Sequence, residues 1–251
     1  MSRIGPFLAW LKMQEGSAYV WGAEGHVVRD GKVFLSGRQI AADWQEWVRG
    51  RETEEANAKR AIRFIQKKLD TGAQEVTCYD CSGLIMRYLR AVAGYLESDM
   101  TARGLFACCE EIRKNELAAG DLLFRHNGQK IIHVGVYLGF GQTIEARGRD
   151  AGVVIRDIDS SGGGYWNRFG TLPLLLLEDA EQHAAAAFGL CAGGSVYLRS
   201  GPTTGNRALA VAHRGDRLLA FPPENGWCKA AVCAGGELVT GYMSAKYIEN
   251  I

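Results

Sequence analysis

Of 251 residues only five are histidine and five proline, and 29 Lys and Arg against 28 Asp and Glu leave a formal net charge of +1. So nearly neutral a chain offers no electrostatic case for nucleic acid or an anionic membrane as partner. Long apolar runs are missing too. Phe7-Leu8-Ala9-Trp10-Leu11 is cut off by Lys12, and Leu174 to Leu177 falls far short of the ~20 residues a spanning helix needs, so no membrane insertion is expected. Met1-Ser2-Arg3 leads into Ile4-Gly5-Pro6 without the basic-then-apolar layout of a secretory leader. Synthesis in the cytoplasm is the expectation, with all seven cysteines reduced at the start. Seven is odd, so at least one thiol is unpaired in any monomer. Cys78 and Cys81 make a C-x-x-C, but Cys108 and Cys109 are adjacent, and Cys228 and Cys233 stand far downstream. A structural zinc wants a second spaced pair, so none is expected, nor any other cofactor. Repeats and low-complexity tracts are absent.

What remains is an ordinary globular composition, 47% hydrophobic, with room for one large or two modest domains. The most informative stretch is Thr77-Cys78-Tyr79-Asp80-Cys81-Ser82-Gly83-Leu84-Ile85-Met86-Arg87-Tyr88-Leu89. Asp80 is a good N-cap, and the spacing after it predicts a helix with Cys81, Leu84, Ile85, Tyr88 and Val92 on one inward stripe. Arg87 and Arg90 then point away. A thiol in a first helical turn sits among unpaired N–H groups at the positive end of the dipole, which favours its thiolate. A buried, inert cysteine fits the same pattern, and so does a Cys78–Cys81 disulfide.

Along the chain, residues 4–15 read as a short amphipathic helix carrying Phe7, Leu8 and Leu11. From about Ile40 to Leu69 the apolar stripes Ile40, Trp44, Trp47, Val48 and then Ala58, Ala61, Ile62, Ile65, Leu69 predict a long helix. The charges between them, Arg49 to Glu55 and Lys59, Arg60 and Arg63, read as its solvated face. The Cys81 helix ends near Gly94, and strands are predicted over 121–125, 131–138, 142–146 and 153–158. Helix first and antiparallel strands after is an α+β order. The segment 178–194 turns Ala-rich and polar, as a linker does. Beyond it, Ser195 to Pro202, Gly226 to Lys229 and Gly241 to Ile248 alternate as a small β-barrel would. There Tyr197, Trp227, Tyr242 and Tyr247 divide between core and a binding surface.

A cysteine nucleophile needs a base within reach. His183 falls in the linker, His213 in the tail, and His26 and His126 beside glycines in predicted loops. His133 opens a strand on which Gly135, Tyr137 and Gly139 share its face. Gly135 leaves room there for the Cys81 helix to approach, although a buried structural histidine fits the position as well.

Asp80-Cys81-Ser82-Gly83-Leu84 resembles the nucleophile motif of the NlpC-type cell-wall peptidases, a papain-like family of cysteine hydrolases. Three more pieces fall in that family's order: Tyr19-Val20-Trp21-Gly22, Gly120-Asp121-Leu122-Leu123-Phe124 and His133-Val134-Gly135-Val136-Tyr137-Leu138-Gly139. The resemblance implies an α+β papain-like catalytic domain over 1–178, its helix packed on an antiparallel sheet. The family passes quickly from its first motif to its cysteine, so residues of about 24–76 stand out as a helical insertion. The tail resembles the bacterial SH3-like domains that accompany wall hydrolases, which implies a linker at 179–193 and a small all-β barrel over 194–251 that binds cell wall. The implied activity is a cysteine endopeptidase acting on peptidoglycan stem peptides, at the D-glutamyl to diamino-acid bond. Cys81 is then nucleophile, His133 base, and Glu145 the orienting partner at a position where relatives carry His, Asn or Gln. Asp80 and Ser82 match residues that contact a stem peptide's free amine, and Tyr19 and Trp21 either line the groove or belong to the core. Acting on a wall without a leader implies a phage or prophage lysin released through a holin. An N-acetylmuramoyl-alanine amidase or another thiol acyl hydrolase on this scaffold, and a non-catalytic wall-binding protein, are the alternatives.

Glu145 can serve only if the turn at Gly139-Phe140-Gly141 cooperates. A three-residue loop pairs Leu138 with Gln142 and puts Glu145 diagonal to His133 on one face. A two-residue loop slips the pairing by one and turns Glu145 away.

Overall fold

The computed structural model describes residues 3–162, 164–177, 187–234 and 237–250. The chain divides into two compact units. The larger comprises Ile4–Val92 and Met100–Thr171; the other gathers Met1–Arg3, Ala93–Asp99 and Leu172–Ile251.

The larger unit opens with α1 (Ile4–Met13), which buries Phe7 and Leu11. Then come β1 (Ala18–Tyr19), β2 (Glu24–Arg29), β3 (Lys32–Leu35), β4 (Arg38–Ala41), α2 (Trp44–Arg51), α3 (Glu55–Asp70) and β5 (Val76–Tyr79). These strands form one sheet in the order β1-β5-β2-β3-β4. Asp30-Gly31 and Ser36-Gly37, all at positive φ, make the two tight hairpin turns of this meander. The region expected as a helical insertion is therefore half strand. The single helix predicted from Ile40 to Leu69 is corrected as well: Ile40 lies on β4, and helix is broken at Glu52, whose backbone is extended. Asp43 starts α2 by accepting the N–H groups of Gln45 and Glu46. The inward faces of α2 and α3, with Trp44, Val48, Ala58, Ala61 and Ile65, close over Val28, Val33, Val76 and Cys78.

The Cys81 helix follows as α4 (Cys81–Met86), passing into a π-helical stretch, Arg87–Val92. Cys81, Leu84, Ile85 and Tyr88 are buried as their spacing predicts, but Val92 is 50% exposed. The wider π turn advances the chain by less angle per residue, so the stripe leaves the core before Val92. After α5 (Ala102–Cys108), capped by Thr101, a second sheet is built from β6 (Glu110–Ile112), β7 (Leu122–His126), β8 (Ile131–Gly139), β9 (Gln142–Gly148), β10 (Gly152–Asp157) and β11 (Arg168–Thr171). Its order is β10-β9-β8-β7-β11-β6, and α4 packs against β8 and β9. Fully burying side chains such as Leu84, Ile85, Val134 and Ile144 contributes roughly 1.5–3 kcal/mol each and pins helix to sheet.

The β8–β9 hairpin departs from the predicted loop. Gly139 pairs with Gln142 across a two-residue turn, Phe140-Gly141, both at positive φ. Such a turn alone would face Glu145 the wrong way. The ladder, however, steps from Tyr137↔Thr143 to Gly139↔Gln142, leaving Leu138 as an extra residue. This bulge restores the parity that the short turn removes.

The other unit holds α6 (Pro173–Leu176) and an antiparallel seven-stranded sheet. Its strands are β12 (Ala187–Cys191), β13 (Ser195–Arg199), β14 (Ala208–His213), β15 (Arg217–Ala220), β16 (Trp227–Ala234), β17 (Glu237–Ser244) and β18 (Ile248–Asn250), in the order β14-β13-β17-β16-β15-β12-β18. One face buries Val196, Leu198, Ala230, Val232 and Met243. Residues 179–186 of the expected linker lie outside the described residues, whereas Ala187–Cys191 pair as a strand with β15 and β18.

Candidate active site

Cys81 is the first residue of α4, and the turn that presents it is held from two directions. Asp80 accepts the Gly83 N–H at 2.6 Å as the helix cap, while its other carboxylate oxygen accepts the Gly22 N–H at 2.8 Å. The Asp80 N–H in turn donates to Ala23 O at 2.8 Å. Gly83 has no alternative here: a Cβ would run into the Ala23 carbonyl. Thus Asp-Cys-x-Gly ties α4 to the segment running from Tyr19 to Ala23, through the Gly22 N–H and the Ala23 carbonyl. Ser82 donates its hydroxyl to Asp80 Oδ1 at 3.2 Å. Cys78, by contrast, lies in the core with its thiol pushed up to about 12 by burial, Arg51 pulling the other way. Both thiols of the C-x-x-C are free.

His133 stands on β8 beneath α4. Its Nε2 and Glu145 Oε2 are 2.6 Å apart. Cys81 lies close enough to the ring to act on the imidazole's protonation. Trp166 stacks on the imidazole at 5.5 Å and 12°, and Tyr165 meets it edge-on at 6.3 Å. Gly135 is needed for this stack, since a Cβ there would strike the Trp166 ring. Burial works against the imidazolium, yet the hydrogen bonds and charges of Cys81 and Glu145 outweigh it and raise the ring to about 9. Glu145, 1% exposed, loses by burial but is held below its ordinary value by His133 and Arg147. Arg147 Nη1 donates to Glu145 Oε1 at 3.0 Å and to Ser161 Oγ at 2.9 Å; the Tyr165 hydroxyl reaches Glu145 Oε2 at 3.4 Å. A thiol, an imidazole and a buried carboxylate thus stand as neighbours, the groups that nucleophilic attack on an acyl group needs.

Tyr19 and Trp21 part company. Tyr19 is buried beside Tyr79 in the β1–β5 pair, and burial with the charges of Cys81 and Asp80 raises its hydroxyl. Trp21 is 54% exposed, and its backbone N–H donates to Glu52 Oε1 at 3.1 Å. Glu52 itself, read as part of a solvated face, has a side chain with no exposure. It binds Arg149 Nε at 3.1 Å and Nη2 at 2.6 Å, and the Arg149 guanidinium covers the Tyr19 ring at 4.8 Å. Arg51 likewise turns inward, donating to Gly22 O at 2.8 Å. His26, expected in a loop, sits buried in β2 and is held neutral at about 4 by burial and by Arg51 and Arg87.

Arg147 was discoverable from strand alternation, two residues from Glu145. Glu52, Arg149, Tyr165 and Trp166 carry no local signal; they arrive through loops and element ends.

Comparison with known proteins matches residues 66–171 to the NlpC/P60 family. A probable endopeptidase p60 of Listeria monocytogenes is 36% identical over 106 residues, 42% of this chain and 21% of that protein. The bifunctional muramidase/DL-endopeptidase CwlT of Bacillus subtilis is 35% identical over 98 residues, 38% of this chain and 28% of its own. The matches thus span only about a fifth to somewhat over a quarter of these relatives' length. Among solved structures, the P60 domain of an M. avium subspecies paratuberculosis antigen superposes with a TM-score of 0.41 at 19% identity, covering 70% of this chain and 96% of that one. Cys81, His133 and Glu145 all fall inside the matched segment, whereas Tyr19, Trp21 and Glu52 precede it. Residues 66–171 are thus the part of this chain that resembles the NlpC/P60 family.

Proposed function

We propose that this protein is a cysteine endopeptidase that cuts the D-glutamyl to diamino-acid bond in peptidoglycan stem peptides. One observation carries the reading: His133 Nε2 meets the buried Glu145 at 2.6 Å while Cys81 acts on the same ring. In a segment that resembles this family and whose curated relatives are named endopeptidases, that constellation supports peptide-bond chemistry. The Bacillus relative's name, DL-endopeptidase, supports a bond from a D- to an L-centre.

In the proposed cycle the Cys81 thiolate attacks the scissile carbonyl carbon, and the backbone N–H at the head of α4 donates to the developing oxyanion. Collapse breaks the C–N bond as His133 gives its proton to the leaving amine. Water then adds to the thioester, giving its proton to His133, and the carboxylate departs with the thiol restored. Glu145 keeps the ring oriented and offsets its charge. Asp80 and Ser82 border the nucleophile and are assigned to the free amine of the substrate's L-alanine. Asp80 keeps its capping bond in that role.

The papain-like and SH3-like assignments, and wall binding by the tail, belong to the same proposal. Supporting the last, Tyr197, Trp227 and Tyr247 line a 250 Å³ concavity with Arg199 and Lys246, and none of these rings is fully buried. Action on a bacterial wall after lysis- or holin-dependent release completes the reading. Digestion of purified sacculi followed by mass spectrometry tests it: the reading requires new amines on the diamino acid. Release of L-alanine amines on glycan-free stems would instead mark a muramoyl-alanine amidase.

A further inference from the structure

Arg149 is gripped on one side and open on the other. Nε and Nη2 are taken by Glu52, whose side chain is wholly buried, while Nη1 makes no hydrogen bond among the described residues. The side chain is 19% exposed, and Nη1 is not one of the buried unpartnered atoms, so it reaches solvent. The same holds for the Tyr19 hydroxyl, which has no hydrogen-bond partner among the described residues and is not sealed from water. Guanidinium and ring are stacked 4.8 Å apart, and β1 pairs with β5, the strand that runs into Asp80 and Cys81. Two unspent donor groups, one of them cationic, therefore stand together, and the Tyr19 hydroxyl is near enough to Cys81 to feel its charge.

A guanidinium whose partner already fixes its plane loses little freedom on binding a second acceptor. Were the Glu52 pair structural alone, either a lysine or an apolar contact would serve the fold. The open edge of the fork is suited to a carboxylate.

We propose that Arg149, positioned by Glu52 and acting with the Tyr19 hydroxyl, is a specificity determinant that binds a free carboxylate on the residue donating the scissile carbonyl. Resting on the reading above, this means the α-carboxylate of γ-linked D-glutamate. Stems in which that group is amidated to D-isoglutamine are then poor substrates. A neutral amide retains an acceptor oxygen for Nη1 but forfeits the charge and turns an N–H group toward the cation.

The test is a ratio. L-alanyl-γ-D-glutamyl-L-lysine and its D-isoglutaminyl counterpart are cleaved in parallel by the full chain, and kcat/KM is compared. A charge-assisted bond predicts preference for the carboxylate of roughly 10- to 100-fold, expressed in KM. Arg149→Gln should bring the ratio close to one, and Arg149→Lys, which keeps a charge opposite Glu52 but not the fork, should leave an intermediate ratio. Because both peptides meet the same preparation, a partly unfolded variant lowers both rates and leaves the ratio untouched. Binding of the two peptides to full-length Cys81→Ala by calorimetry reads the same discrimination without turnover. Equal handling of both peptides by the native chain, or a ratio unmoved in Arg149→Gln, overturns the assignment. Discriminating binding with no cleavage of either peptide instead overturns the hydrolytic reading and keeps the carboxylate site.

Discussion

Glu145 meets His133 across neighbouring strands, Oε2 to Nε2 at 2.6 Å, with Arg147 holding the other carboxylate oxygen at 3.0 Å. Glu145→Gln keeps a hydrogen-bond acceptor but removes the charge. The expected outcome is a fall in kcat of roughly 10²–10⁴-fold with a native circular dichroism spectrum. A variant with unchanged kcat would remove Glu145 from the site.

The imidazole also predicts a pH response. His133 is raised to about 9 from an ordinary 6.5, so the protonated ring stabilises the folded state fully below pH 6.5, and that contribution is lost as pH rises through 9. Denaturant titrations from pH 6 to 9.5 should show native stability falling over that window, and falling less in His133→Gln. Imidazole ¹⁵N shifts should report a ring still protonated at pH 7 and a lower titration midpoint in Glu145→Gln.

Cys81→Ala should abolish hydrolysis of sacculi while costing about 1 kcal/mol of stability, since only one sulfur atom leaves a tight site. Residual release of new amines would show that the nucleophile lies elsewhere.

Gly83→Ala is expected to destabilise by about 3 kcal/mol, because the added methyl meets the Ala23 carbonyl, a backbone atom that cannot swing aside. Thermal unfolding checks this. A neutral result would mean that the turn before Cys81 is looser than its hydrogen bonds indicate.

In the tail, Trp227→Ala combined with Lys246→Gln should reduce co-sedimentation with sacculi and leave turnover of soluble stem peptides unchanged. Undiminished sedimentation would argue that the tail's concavity does not bind wall.

Much of this could be read from the chain alone. Asp80 as cap, Cys81 at the head of an inward-facing helix and His133 beside Gly135 all follow from local rules, because capping and periodicity act over a few residues. The strands from Leu122 to Asp157 were legible for the same reason. Tertiary structure decided what depends on distant neighbours. Whether Glu145 faces His133 turned on a bulge at Leu138, a matter of two-strand pairing that one strand's alternation does not contain. Glu52 and Arg149, 97 residues apart, find each other only because α2 and the β9–β10 turn converge. A charged residue in a polar run looks solvated until the fold supplies its partner, since burial of a charge is permitted by pairing and not by sequence context.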